Sequence, residues 1–121
     1  MFKSFRDMPV WREAIEIAES VFNLTSKLPR KEDYGLTSQM RRSALSISAN
    51  IAEAFGRKHT AEKTNFYYYA RGSIYETQNH LEYGHRIQYF SDDSYEDLFV
   101  KLNNIAISLN KIILSLQDHQ A

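Results

Sequence analysis

Apolar positions along this chain fall into four long runs of helical period. In the first, Val10, Ala14, Ile17, Val21, Leu24 and Leu28 recur at spacings of four and three, which places them on one face of an α-helix. A second row, Trp11, Ile15, Ala18 and Phe22, runs beside it and makes the face broader than a small bundle needs. Pro9 follows Asp7 at the head of this run, where Asp can cap and the missing proline N–H costs nothing, so a helix is expected to begin there. The connector LPRKEDYG separates it from a second helix over Leu36 to Phe55, with Met40, Ala44, Ile47 and Ile51 as its seam and Gly56 as its stop. Thr60 is the expected cap of a third helix running to Tyr89, with Phe66, Ala70, Ser73, Thr77, Leu81 and Gly84 along one side. The SDDS tetrapeptide interrupts it. A fourth helix from Ser94 has the clearest period of all: Leu98, Leu102, Ile105, Leu109, Ile112 and Leu116. No stretch alternates with period two, so no strand is expected. The predicted fold is all-α, a single domain over residues 1–121 forming an antiparallel up-down-up-down four-helix bundle.

The second helix is unusual for a core element. RRSALSISANIAEAFGR, Arg41 to Arg57, is rich in Ser and Ala and carries Asn50 and Glu53 near its apolar side. On a helical wheel Ser43, Ser46, Asn50 and Glu53 line the flank beside the seam. The third helix offers a matching flank in ARGSIYE, where Gly72 removes a side chain. A glycine inside a helix costs about 1 kcal/mol against alanine and so suggests a close contact. The expectation is a tight approach of helices two and three, with Asn50, Glu53 and Glu76 in a buried polar network, since unpaired polar groups there would be costly. Glu53 can also reach Arg57 one turn on.

Composition narrows the class. At 121 residues, 43% hydrophobic and 25% charged, the chain has the makeup of one globular domain. No run of 18 apolar residues suggests a membrane span, MFKSFRDMPVW lacks the apolar core of a signal peptide, and there is no cysteine, so a cytoplasmic protein with no membrane partner is expected. Net charge is formally zero, which argues against coating nucleic acid by bulk electrostatics. The distribution is uneven: Lys27 to Lys63 holds eight basic residues against four acidic ones, while Asp92, Asp93, Glu96 and Asp97 cluster later.

A resemblance then becomes specific. VWREAIEIA in helix one, LP followed by YGLTSQMRRSALSISANIAEAFGR through helix two, and FYYYARGSIYE in helix three resemble the four-helix-bundle proteins encoded by intervening sequences of bacterial 23S ribosomal RNA genes. The order matches over nearly the whole chain; SQMRRSA, NIAE and ARGS carry most of the likeness. Ser48 stands where that family commonly has proline, and Ala54 where it commonly has glycine. The resemblance implies a left-handed antiparallel bundle that assembles into a ring, typically a pentamer, with no established catalytic activity. The accessory proteins of diversity-generating retroelements look similar in bundle and five-fold assembly and work through nucleic acid, but fold alone does not carry function.

Candidate chemistry is sparse. Glu82 and His85 form an E-x-x-H, the spacing that places a carboxylate and an imidazole on one metal in di-iron bundles, yet a second such pair is missing: His59, His80 and His119 have no Glu three residues earlier. A solvated surface pair is the ordinary meaning. No nucleophile motif, phosphate-cradling glycine loop or triad order is present, so no enzyme, cofactor or small-molecule substrate is indicated. The aromatic run of helix three has two readings. Trp11, Phe22, Tyr67, Tyr68 and Tyr75 can pack against a neighbouring subunit, since one bundle cannot bury them all. Alternatively Tyr67 can stack a base while Arg71 holds phosphate. Two functions stay open: a ring-forming, nucleic-acid-associated protein using Arg41, Arg42, Arg57, Lys58, Lys63 and Arg71 on RNA or DNA, and a structural or protein-binding homo-oligomer with no nucleic-acid role.

Overall fold

The computed structural model describes residues 1–120, with side chains as far as Asp118. A short 3-10 turn at Phe5–Asp7 leads into α1 (Pro9–Thr25); a second turn at Arg30–Glu32 precedes α2 (Leu36–Gly56), followed by α3 (Thr60–Arg86) and α4 (Asp92–Gln120). Successive helices pack side by side, and α4 closes back on α1, while α1–α3 and α2–α4 are diagonal, with no close approach of their backbones. This is a four-helix bundle with no strand among the described residues. The α2–α3 seam is the most extensive and the α1–α4 seam the least.

Helix ends differ from the sequence expectation in detail. Asp7 does not cap α1; it closes a capping box with Ser4 on the preceding 3-10 turn, and Met8 is the α1 N-cap without a side-chain bond. Thr60 is the first residue of α3, with His59 at its N-cap. That helix stops at Arg86, three residues short of expectation, because Gln88 takes a left-handed φ of 68° and the Tyr89 N–H turns back to the Gly84 carbonyl at 2.8 Å. Ser91 then caps α4, its hydroxyl accepting from the Ser94 N–H at 3.1 Å, so α4 begins two residues before Ser94.

The core follows the predicted seams with one rotation. Val10, Ala14, Ile17 and Val21 of α1, and Met40, Ala44, Ile47 and Ile51 of α2, are buried as expected. On α3 the buried row is Tyr67, Ala70, Ile74, Thr77 and Leu81, so Tyr67 and Ile74 replace Phe66 and Ser73. On α4 it is Leu98, Leu102, Ile105, Leu109 and Ile113, with Ile112 and Leu116 only half-buried.

The serines and Asn50 of α2 owe their place in the helix to their own backbone. Ser43 donates to the Met40 carbonyl, Ser46 to Arg42, Ser48 to Leu45, and the Asn50 amide to Ser46. A polar side chain satisfied this way can lie against a neighbour without an orphaned donor. Burial of Ser43 is completed by Thr77, whose hydroxyl lies 2.8 Å from Ser43 Oγ and 2.8 Å from the Ser73 carbonyl.

Candidate functional site

The expected polar network is not formed within the chain. Glu53 is exposed and pairs with Arg57 at 3.2 Å; Glu76 is exposed, 3.9 Å from His80 Nε2; and the half-buried Asn50 bonds only to its own helix. The buried polar contact between α2 and α3 is Ser43 with Thr77, about two turns before Asn50 on α2 and next to Glu76 on α3, on the neighbouring face of that helix. The reason is rotation: Gly72, expected at a close approach, faces outward, and a Cβ built there meets nothing within 4 Å. The glycine that packing does require is Gly84, where a Cβ would sit 2.2 Å from Cε2 of the buried Phe90.

The six basic candidates do not form one surface. Arg41 closes the C-terminus of α1: its guanidinium donates to Thr25 Oγ1 at 2.8 Å, Ser26 Oγ at 3.1 Å and the Phe22 carbonyl at 3.2 Å, and lies over the Phe22 ring. Lys63 does the same for α2, donating to the Ala54 and Phe55 carbonyls. Both positions complement the negative end of a helix. Arg57 is shared between Glu53 and Glu62 and stacks on Phe66. Arg71 donates to Asn110 Oδ1 at 2.9 Å and lies over Tyr68, joining α3 to α4. Of the six, only Arg42 and Lys58 have side chains with neither ion pair nor hydrogen bond among the described residues.

The aromatic candidates separate as well. Tyr67 is in the core at 5% exposure, and burial pushes its hydroxyl pKa up, so it faces neither a base nor a neighbouring subunit. Trp11 is half-buried, edge-on to Phe5. Phe22, Tyr68 and Tyr75 are exposed. Large apolar residues that the sequence reading passed over join them. Leu45 is exposed on α2, and Val100, Ile107 and Leu114 form an exposed stripe along α4. Their spacing of seven was the signal that could have found them: it holds residues within about 40° on a helix, here on the side opposite the core seam. This second apolar side explains why α4, over Asp92–Asp118, is by length and composition apolar enough to cross a membrane although one side of it is core.

Two clefts border these features. One, about 390 Å³, lies on the outer side of α1 and α2 between Ile15, Ala18, Phe22 and Leu45, with Glu19 and Arg41 at its rim. A shallower hollow follows along α2 past Ala49, Ala52 and Gly56. Small residues therefore do permit a close approach to α2, but on its outer side.

The E-x-x-H pair serves a helix corner. His85 Nε2 is 2.7 Å from Asp92 Oδ1, its ring stacks on Tyr95 at 4.1 Å, and the Tyr95 hydroxyl donates to Glu82, holding that carboxyl below its usual range with help from Arg86 and His85. The same bond raises the Tyr95 pKa. At the opposite side of this end, Tyr89 donates to Glu32 at 2.8 Å, while Glu32 also accepts from the Leu36 N–H at the start of α2. No group of three potential metal ligands occurs among the described residues; the His119 side chain lies outside them.

The model of the 23S rRNA-intervening sequence protein family matches residues 6–111. A crystal structure of a protein of unknown function from the S23 ribosomal protein family of Bacteroides thetaiotaomicron superposes with a TM-score of 0.80 at 28% identity, over 86% of this chain and 97% of that one. No curated protein matches the chain.

Proposed function

The chain belongs to the 23S rRNA-intervening sequence protein family, and from that premise we propose that it acts without catalysis, as a self-associating helical scaffold whose first partner is another copy of itself. The observation that carries this is the number of large apolar side chains left in water on separate sides of the bundle. Phe22 and Leu45 are 56% and 55% exposed on one side; Val100, Ile107 and Leu114 are 56%, 53% and 60% exposed on α4. A monomer gains nothing from a heptad-spaced stripe opposite its core, whereas association removes that area from water. The family resemblance supplies the ring and its five-fold order; no spacing in the chain encodes a subunit number. Sedimentation equilibrium from one to one hundred micromolar tests the reading. Concentration-dependent assembly is expected, and a monomer throughout refutes it.

Nucleic-acid association is the second reading, favoured by the two basic candidates whose side chains are uncommitted among the described residues, Arg42 and Lys58. It is weakened because Arg41, Lys63, Arg57 and Arg71 are committed to helix ends, carboxylates or Asn110. A ring would repeat two weak phosphate contacts per subunit, giving sequence-tolerant binding that salt abolishes. Anisotropy titration of the assembled protein with single-stranded RNA and duplex DNA at low salt tests it: binding lost in the double variant Arg42→Glu/Lys58→Glu supports it, and no binding at tens of micromolar ends it.

A further inference from the structure

We infer that the outer stripe of α4 in one copy lies in the α1/α2 cleft of the next, antiparallel to α2, so that copies join head to tail. This rests on the self-association proposed above and names the two surfaces that perform it.

The shapes correspond. Val100, Ile107 and Leu114 make a ridge spanning 14 residues, about 21 Å at 1.5 Å per residue. The receiving trough opens between Phe22 and Leu45 and runs along α2 past Ala49 and Ala52 to Gly56, whose short side chains let a helix approach, with the Glu53–Arg57 ion pair as its outer wall. From Leu45 to Gly56 is 11 residues, about 16 Å, so a ridge of three large side chains fits its length with one turn over. Ridge into groove is how helices pack in general.

Charge fixes the direction. Lys111 lies within the stripe between Ile107 and Leu114, and Glu19 stands at the rim of the cleft beside Phe22; neither side chain has an ion pair or hydrogen bond among the described residues. At the other end of the stripe stands Glu96, and beyond the end of α2 stands Lys58, both exposed and with unpaired side chains among the described residues. Lys111 and Glu96 are 15 residues apart, about 22 Å along α4. Leu45, which shares the cleft with Glu19, is about 16 Å of helix from Gly56, and Lys58 lies two residues past that end in the loop to α3. With α4 antiparallel to α2, both opposite-charge pairs meet in one register. The parallel arrangement brings Glu96 toward Glu19 and leaves Lys111 near Lys58, two like-charge pairs.

Because α4 is diagonal to α2, stripe and cleft lie on different sides of one bundle. Each copy therefore offers one of each, and the contact is heterologous, which propagates until a rotation closes it.

The test uses two full-length variants at exposed positions, Ile107→Glu on the stripe and Leu45→Glu in the cleft, with circular dichroism to establish that both fold. Each alone should be monomeric where the parent assembles. Mixed one to one, they should form a dimer and nothing larger, since one intact stripe meets one intact cleft and the other two surfaces are dead. For direction, Lys111→Glu and Glu19→Lys should each weaken assembly roughly tenfold, and the double variant should restore it. A parent that stays monomeric sinks self-association and this assignment together. An assembling parent whose mixed variants give no dimer overturns the assignment alone, and a dimer without charge rescue overturns the antiparallel register.

Discussion

Two glycines of α3 give a test of the packing with opposite signs. At Gly72 an added methyl meets nothing within 4 Å, so Gly72→Ala should gain the ordinary helix preference of alanine, about 1 kcal/mol. At Gly84 the methyl carbon would sit 2.2, 2.6 and 3.0 Å from three carbons of the Phe90 ring, where ordinary contact begins near 3.4 Å. The ring must retreat by more than an ångström, yet Phe90 is only 4% exposed and is held by the turn that the left-handed Gln88 makes. Overpacking of this kind costs about 3 kcal/mol at the upper end of its range; subtracting about 1 kcal/mol of helix preference leaves a net loss of about 2 kcal/mol. For a chain this size 1 kcal/mol moves the melting temperature by roughly 4 °C, so Gly72→Ala should melt roughly 4 °C higher and Gly84→Ala roughly 8 °C lower. Differential scanning calorimetry below the assembly concentration measures both. In the Gly84→Ala background, Phe90→Leu should cost about 1 kcal/mol less than in the parent, because the two changes share one space. If Gly84→Ala melts at or above the parent, the close packing of Phe90 on α3 is wrong.

Removing the helix-end cations should separate structural from free charge: Arg41→Ala and Lys63→Ala should each lose about 1–2 kcal/mol in chemical denaturation, because the C-terminal ends of α1 and α2 lose a charged hydrogen-bond donor. Lys58→Ala should stay within about 0.5 kcal/mol of the parent, and equal losses at all three would refute the distinction. Gln88→Gly should raise stability by up to about 1 kcal/mol by relieving a left-handed φ, and a drop in the melting temperature would show that the Gln88 side chain is needed. Glu82, held low first by the Tyr95 hydroxyl, contributes stability that is present above its ordinary value of 4.5 and is lost as pH falls through its lower folded value. Tyr95→Phe keeps the ring against His85 but removes that donor, so its melting temperature should fall less than the parent's between roughly pH 5 and pH 3. Parallel acid limbs would disprove the coupling.

The period of apolar residues by itself determined the number of helices, their order and most of the core. Val10 to Val21 and Met40 to Ile51 read correctly because burial against one flat neighbour imposes a 3.6-residue repeat that survives in the bare sequence. The 1D pattern also held the α4 stripe, as a spacing of seven on the side away from the seam. Rotation of α3 could not be read. FYYYARGS is apolar all around, so period alone leaves the choice between Phe66 and Tyr67 open, and only packing against α2 and α4 puts Tyr67 inside and Gly72 outside. Nor does a sequence distinguish a cation that binds a partner from one that closes a neighbouring helix. Arg41 and Arg42 are adjacent and chemically identical, yet the 100° between them aims one at the Thr25 hydroxyl and the Phe22 carbonyl of α1, 16 and 19 residues earlier, and leaves the other in solvent. Tertiary structure decided that, because a hydrogen bond depends on where two helix ends meet, and that meeting is set by the packing of all four helices rather than by any local stretch.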